Sequence, residues 1–147
     1  MPSVKPIPAI VSVMTPFPHS ITEDATLAEA RELMEHHGLG HLPVTHDGKP
    51  VGVLLEHQLR QNHRESDPTP QEQLRTVGDV CSPSPLLVQV SDQLDNVVME
   101  MSRRQASCVL VLRNDKLAGI LTASDVCRLL GEHLRAAFTR PDDEEPA

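Results

Sequence analysis

A chain of 147 residues with a net charge of -8 has room for one compact domain or two small ones, and it lacks the basic footprint of a nucleic-acid binder. Trp and Tyr are absent and Phe occurs twice, so there is no aromatic platform for stacked bases, and Leu, Val, Ile, Met and Ala must pack the core. No apolar run approaches the roughly 18 residues of a membrane span. The opening Met1-Pro2-Ser3-Val4-Lys5-Pro6 has no charged-then-apolar leader pattern, so no membrane contact and a cytoplasmic location are expected.

The first predicted element is a short strand, Val11 to Met14, followed by the turn Thr15-Pro16-Phe17-Pro18. Proline cannot donate to a ladder, so this segment is a bend and not the centre of a sheet. A helix follows, opened by the capping box Thr26-Leu27-Ala28-Glu29 and stopped at Gly38, with Leu27, Ala30 and Met34 on one face and Leu33 at its margin. Two strands come next, His41 to Thr45 and Val51 to Leu55, around His46-Asp47-Gly48-Lys49, in which Asp-Gly is a hairpin signal. A second helix runs from about Glu56 to His63.

The same order then recurs. Shifting the sequence by 67 residues lays 10–59 on 77–126 without a gap, with identities that include Val13/Val80, Pro16/Pro83, Leu27/Leu94, Met34/Met101, Gly52/Gly119 and Leu54/Leu121. The second unit has a strand Val77 to Cys81 and the turn Ser82-Pro83-Ser84-Pro85. Its first helix carries Leu94, Val97, Val98 and Met101 on one face. Its hairpin is Cys108 to Leu112 and Leu117 to Leu121 around Arg113-Asn114-Asp115-Lys116, and its last helix is Ser124 to Phe138. The hairpin strands are nearly continuous apolar runs, so both their faces are expected to be covered. The chain therefore reads as an α/β (α+β) protein of two β-α-β-β-α repeats, 1–63 and 76–138. A polar linker, 64–75, joins them, and an acidic tail, 139–147, is expected to be disordered.

Three segments carry a resemblance to a known family. They are the opening Thr76-Val77-Gly78-Asp79-Val80-Cys81-Ser82-Pro83 with its counterpart Met14-Thr15-Pro16, the strand His41-Leu42-Pro43-Val44, and Gly119-Ile120-Leu121-Thr122-Ala123-Ser124-Asp125. In this order, twice over residues 10–135, the chain resembles the CBS (cystathionine β-synthase) domain family as a tandem pair. Cys81 stands where that family usually has Met. The resemblance implies two repeats packed with pseudo-twofold symmetry, homodimerisation into a flat disc, and binding of an adenosine-containing ligand between the repeats. Such a ligand would be AMP, ADP, ATP, S-adenosylmethionine or NAD. The implied role is regulatory and not enzymatic: no cofactor is required, and a protein target would be acted on in trans.

The candidate site follows the last of these segments. An ionised Asp125 can accept from both hydroxyls of a ribose, and the hydroxyls of Thr122 and Ser124 lie at a helix start suited to phosphate. Gly119 permits close approach of the backbone. The same Thr122-x-x-Asp125 spacing is also an ordinary helix cap, and both readings stand. By resemblance, Ser12, Val13 and Met14 would line the base of this cleft and Gly40, His41 and Leu42 its other edge. In the first repeat Leu55 and Gln58 replace the hydroxyl and the carboxylate, so that cleft is expected to be empty or weak. The degraded motif also fits a second reading, a ligand-free dimerisation or docking module.

Metal and catalytic readings are weaker. The three cysteines Cys81, Cys108 and Cys127 have no CxxC spacing and read as reduced, mostly buried thiols. Cys108 is expected at the cleft, with a buried and inert thiol as the preferred account. His36, His37, His41 and His46 do not share one element, and His36 and His37 are expected to point apart, so no metal site is assigned. No Gly-rich phosphate loop, G-x-S-x-G elbow or HExxH occurs.

Overall fold

The computed structural model describes residues 5–61 and 75–141. All but Arg75 of the linker 64–75 and the acidic run Asp142 to Glu145 lie outside these residues. After a single 3-10 turn at Ile10–Ser12, repeat 1 contributes β1 (Thr15–Pro16), β2 (Ile21–Thr22), α1 (Leu27–His37), β3 (His41–His46), β4 (Lys49–Leu55) and α2 (Glu56–Gln61). Repeat 2 contributes α3 (Val77–Val80), β5 (Ser82–Pro83), β6 (Leu87–Gln89), α4 (Leu94–Arg104), β7 (Cys108–Arg113), β8 (Lys116–Thr122) and α5 (Ala123–Ala137).

Local chemistry accounts for most of these boundaries. Thr26 and Glu29 close a reciprocal capping box at the start of α1, and Gly38 ends it in the left-handed region at φ 63°. The face that packs inward is Leu27, Ala30 and Met34, as the spacing predicts. Both hairpins turn on two residues with positive φ, Asp47 and Gly48 in one and Asn114 and Asp115 in the other, which is the turn whose twist matches paired strands. Both ladders also shift register at the same place, between Val44 and Thr45 and between Val111 and Leu112. Leu42, Val44, Val109, Leu110 and Val111 are fully buried, so the expectation of covered faces holds.

The predicted strands Val11 to Met14 and Val77 to Cys81 are not strands. The first is the 3-10 turn, in which the Val13 and Met14 amides donate back to the Ile10 carbonyl. The second is the short helix α3, whose capping box joins Thr76 to Asp79. Each segment buries only one side chain completely, Ile10 or Val77, so the alternate burial of a strand is not needed. The strands that do form lie one step later, in the segments read as bends. Pro16 and Pro83 sit in edge strands, where a missing donor costs nothing. The parallel strands β2 and β6 have two and three residues, too few to leave a pattern in the sequence.

The repeats are interlocked. One sheet runs β2-β3-β4-β5 and the other β1-β8-β7-β6, so each repeat donates its opening strand to the sheet of the other. The pairing is symmetric: Thr15 and Pro16 face Ile120 and Gly119, while Ser82 and Pro83 face Val53 and Gly52. Ile10 is buried among Val88, Leu94, Val97, Met101, Val109, Val111 and Leu121 of repeat 2. Val77 is buried among Leu27, Ala30, Met34, Leu42, Val44, Leu54 and Leu59 of repeat 1. Burial of each such side chain contributes about 1.5–3 kcal/mol. Val53, Cys108, Leu110 and Ile120 form a third cluster that joins the two sheets.

Glycine is needed where the strands cross. A Cβ on Gly52 would lie 2.7 Å from both the Ser82 carbonyl oxygen and Cys81 Sγ, and one on Gly119 would meet the flexible end of Met14. Gly52→Ala therefore presses on backbone, and it is expected to lower unfolding stability by about 1–3 kcal/mol. Gly119→Ala is expected to cost less, because Met14 can move. Denaturant unfolding of both variants checks the order.

Candidate functional site

The sequence-predicted site centres on the start of α5. Thr122 is the N-cap residue, in extended conformation, and its side chain accepts from the Asp125 amide at 3.2 Å. Asp125 returns the bond: its Oδ2 accepts from the Thr122 amide and from the Thr122 hydroxyl, both at 2.9 Å. The capping reading of this spacing is thus realised, with Thr122 turned to Asp125 instead of standing open to solvent. The remaining oxygen, Oδ1, receives only a long contact of 3.4 Å from Arg128 Nη2. Asp125 is 9% exposed, one of two polar residues buried among the described residues. Ser124 is exposed beside it.

Repeat 1 supplies a residue close enough to feel the charge of this carboxylate. His41 opens β3, and its Nε2 lies 3.2 Å from Ser107 Oγ, a side-chain contact between residues 66 apart. Burial holds the His41 imidazole below its ordinary value, and the nearby Asp125 charge partly opposes that shift. His41, Ser107, Thr122 and Asp125 therefore meet at the boundary of the two repeats.

The other predicted residues divide. Val13 and Met14 are half-buried against the core of repeat 2, with Met14 over Gly119. Gly119 thus admits the opening segment closely, and Met14 takes the space a side chain would need. Ser12 donates its hydroxyl to the Ala9 carbonyl and is exposed. The Leu42 side chain is fully buried in the core of repeat 1. Gly40 is exposed, and its carbonyl accepts from the Glu56 amide. It borders a separate cavity of about 500 Å³ between α1 and α2, whose floor is Met34, Leu39 and Leu59 and whose rim includes Arg31 and Arg60. Ser107 and Arg128 are missing from the sequence reading. Ser107 was findable, since it lies 67 residues after Gly40; Arg128 lies one helical turn after Asp125.

The repeat 1 counterpart is built differently. Gln58 Oε1 accepts from the Leu55 amide at 2.7 Å, the capping task that Asp125 performs in repeat 2. Its Nε2 donates to Ser82 Oγ at 2.8 Å, which a carboxylate cannot do. This amide ties the two repeats together where the other cleft holds an anionic acceptor.

The thiols and imidazoles bear on further expectations. Cys108 is buried between the sheets, and burial raises its thiol to about 11, in line with the preferred account of a buried, inert thiol. Cys81 is half-buried and Cys127 exposed, so the thiols are not mostly buried. His36 and His37 do not point apart: their rings meet edge-on with centroids 4.7 Å apart, and His37 stacks on His19 at 3.8 Å. Among the described residues no group of three or more His, Cys, Asp or Glu is placed to hold a metal.

With this geometry in view, comparison with known proteins is specific. The CBS domain family matches twice, at residues 10–63 and 77–132, and the chain belongs to that family. Hypoxic response protein 1 of Mycobacterium tuberculosis is 26% identical over 121 residues, covering 82% of this chain and 83% of the relative. L-Aspartate semialdehyde sulfurtransferase of Methanocaldococcus jannaschii is 22% identical over 132 residues, but this chain spans 88% of itself and only 25% of that protein. A Vibrio cholerae protein named for acetoin utilization has the same fold, with a TM-score of 0.73 at 23% identity, over 95% of this chain and 99% of that one. CBSX2 in complex with AMP gives a TM-score of 0.69 at 25% identity, over 85% and 97%. The CBS domain of a bacterial CNNM/CorC family Mg2+ transporter in complex with ATP gives 0.71 at 26% identity, over 82% and 84%. Relatives of the pair thus bind adenosine compounds. Among the described residues no helix is long and apolar enough to cross a membrane.

The lowered His41 value has a consequence for stability. A histidine whose folded-state value lies below the unfolded 6.5 adds stability that is complete above 6.5. That stability is lost as pH falls through the folded value, because the unfolded chain binds the proton more readily. His41→Gln keeps a polar partner for Ser107, so its melting temperature is expected to fall less than that of the wild type between neutral and mildly acidic pH. Thermal unfolding across that range, wild type beside variant, checks this.

Proposed function

We propose that the chain is a regulatory, non-catalytic module that binds an adenosine-type ligand at the repeat boundary and signals through a change in how the repeats sit together. The observation that carries this reading is Asp125. A carboxylate 9% exposed, with Oδ1 only weakly engaged, lies within the field of a histidine from the other repeat. A ribose diol is a natural partner for such an acceptor, and the exposed Ser124 and the His41 ring are suited to a phosphate. The AMP and ATP complexes of similar CBS domains support the ligand class. The Leu55 and Gln58 pattern supports one such site per chain. S-Adenosylmethionine, ADP and NAD share the adenosine and stay within the proposal. The partner is a second copy of the chain and a protein target acted on in trans, in a cytoplasmic setting.

A ligand-free interaction module is the second reading. It is favoured by the closed capping box, in which Thr122 and Asp125 satisfy one another without a ligand. One preparation separates the two. The chain has no Trp or Tyr, so it is almost transparent near 280 nm and a bound adenine dominates its spectrum near 260 nm. Nucleotide released by heating and identified by mass, with retention abolished in Asp125→Ala, is the expected result. Clean protein whose melting temperature no adenosine compound raises selects the interaction module.

The dimer has a candidate surface. Leu130, Leu134 and Phe138 are all exposed at i, i+4 and i+8 along α5 and just beyond it. An apolar stripe of this kind is best covered by a copy of itself, as in an isologous pair. Leu134→Glu is expected to shift the protein to monomer in sedimentation or light scattering, with the fold retained.

A further inference from the structure

The two oxygens of Asp125 are unequally engaged. Oδ2 accepts from the Thr122 amide and hydroxyl, both at 2.9 Å, which leaves it little capacity for a ligand. Oδ1 alone has capacity to spare, and the group that now occupies it is the Arg128 guanidinium, at 3.4 Å. A ribose whose two hydroxyls both bind Asp125 must therefore use Oδ1 and compete with Arg128. The pair is poorly matched in burial: the Arg128 side chain is 61% exposed and the Asp125 side chain 12%. Arg128 can swing into water, whereas Asp125 is held by the helix cap.

On the reading that an adenosine-type ligand binds at Asp125, we propose that Arg128 is the specificity residue of the site, selecting ligands that carry their own anion. A neutral nucleoside breaks the Asp125–Arg128 contact and returns nothing to the cation. A nucleotide breaks the same contact but brings a phosphate, and a guanidinium one helical turn along α5 is a charge-assisted donor to it. The lost contact is a partly exposed ion pair, in the range of about 0–1 kcal/mol, which corresponds to at most about fivefold in affinity. Discrimination between nucleoside and nucleotide is thus modest and depends on salt.

The test uses the full chain, stripped of bound ligand, with adenosine and AMP as probes in calorimetry at low and high salt. Arg128→Gln is expected to bind adenosine about three- to fivefold more tightly than the wild type and AMP no more tightly, so the preference for AMP shrinks. Its adenosine affinity loses the salt dependence of the wild type. Arg128→Lys keeps the cation and is expected to retain most of the preference. Arg128 is exposed, so the unfolding midpoint of the variant is expected to stay close to that of the wild type. An unchanged ratio of AMP to adenosine affinity in Arg128→Gln overturns the role of Arg128, while binding that is lost in Asp125→Asn keeps the site. Failure of the wild type to bind either probe overturns the nucleotide reading and this inference together.

Discussion

The structure depends on an exchange of opening segments. Ile10 and Val77 each leave the repeat that follows them in sequence and complete the core of the other. Their strands do the same at the sheet edges, opposite Gly119 and Gly52. Neither repeat is a closed unit, because each lacks one edge strand and one core side chain without its neighbour. The approach is so close that a single Cβ at Gly52 meets backbone of the other repeat. Stability and relative placement of the repeats are therefore one property.

That coupling bears on the site. His41, which opens a strand of repeat 1, touches Ser107, which precedes a strand of repeat 2, and both lie near the cap of α5. A molecule bound to Asp125 at this boundary would touch the contact that spans the repeats. The opposite boundary is closed by Gln58, which caps α2 and binds Ser82 in one gesture. An amide with a donor and an acceptor bridges two polar neighbours, while a carboxylate only accepts. The change from Asp125 to Gln58 converts an anionic acceptor into a brace, and the asymmetry between the two halves follows from that one difference in side-chain chemistry.

Much of the fold was legible because its signals are local. The capping box at Thr26, the stop at Gly38, the two hairpin turns and the inward faces of α1 and α4 each involve residues within one or two turns of chain. The lead-in segments were misread because a run such as Val11-Ser12-Val13-Met14 suits a strand equally well. In the structure the Ser12, Val13 and Met14 amides bond back to Ala9 and Ile10, so the segment closes on itself as a turn. The His41-Leu42-Pro43-Val44 segment matches the family pattern, whereas the burial of the Leu42 side chain in the core is decided by the packing of β3. Ser107 falls on the repeat register, 67 residues after Gly40, whereas Arg128 carries no distinctive spacing and matters only through what it faces.

The sequence by itself determined the repeat, its period, the element types of the hairpins and long helices, and the loss of the Thr122 and Asp125 chemistry from the first repeat. These rest on local propensity, on periodicity and on the comparison of the chain with itself. Only the tertiary structure decided that the opening strands cross over, that His41 meets Ser107, and that Oδ1 of Asp125 is shared with Arg128. Those contacts join residues as far apart in the chain as Thr15 and Ile120, or depend on which rotamer a cap leaves free, and no short-range pattern encodes either.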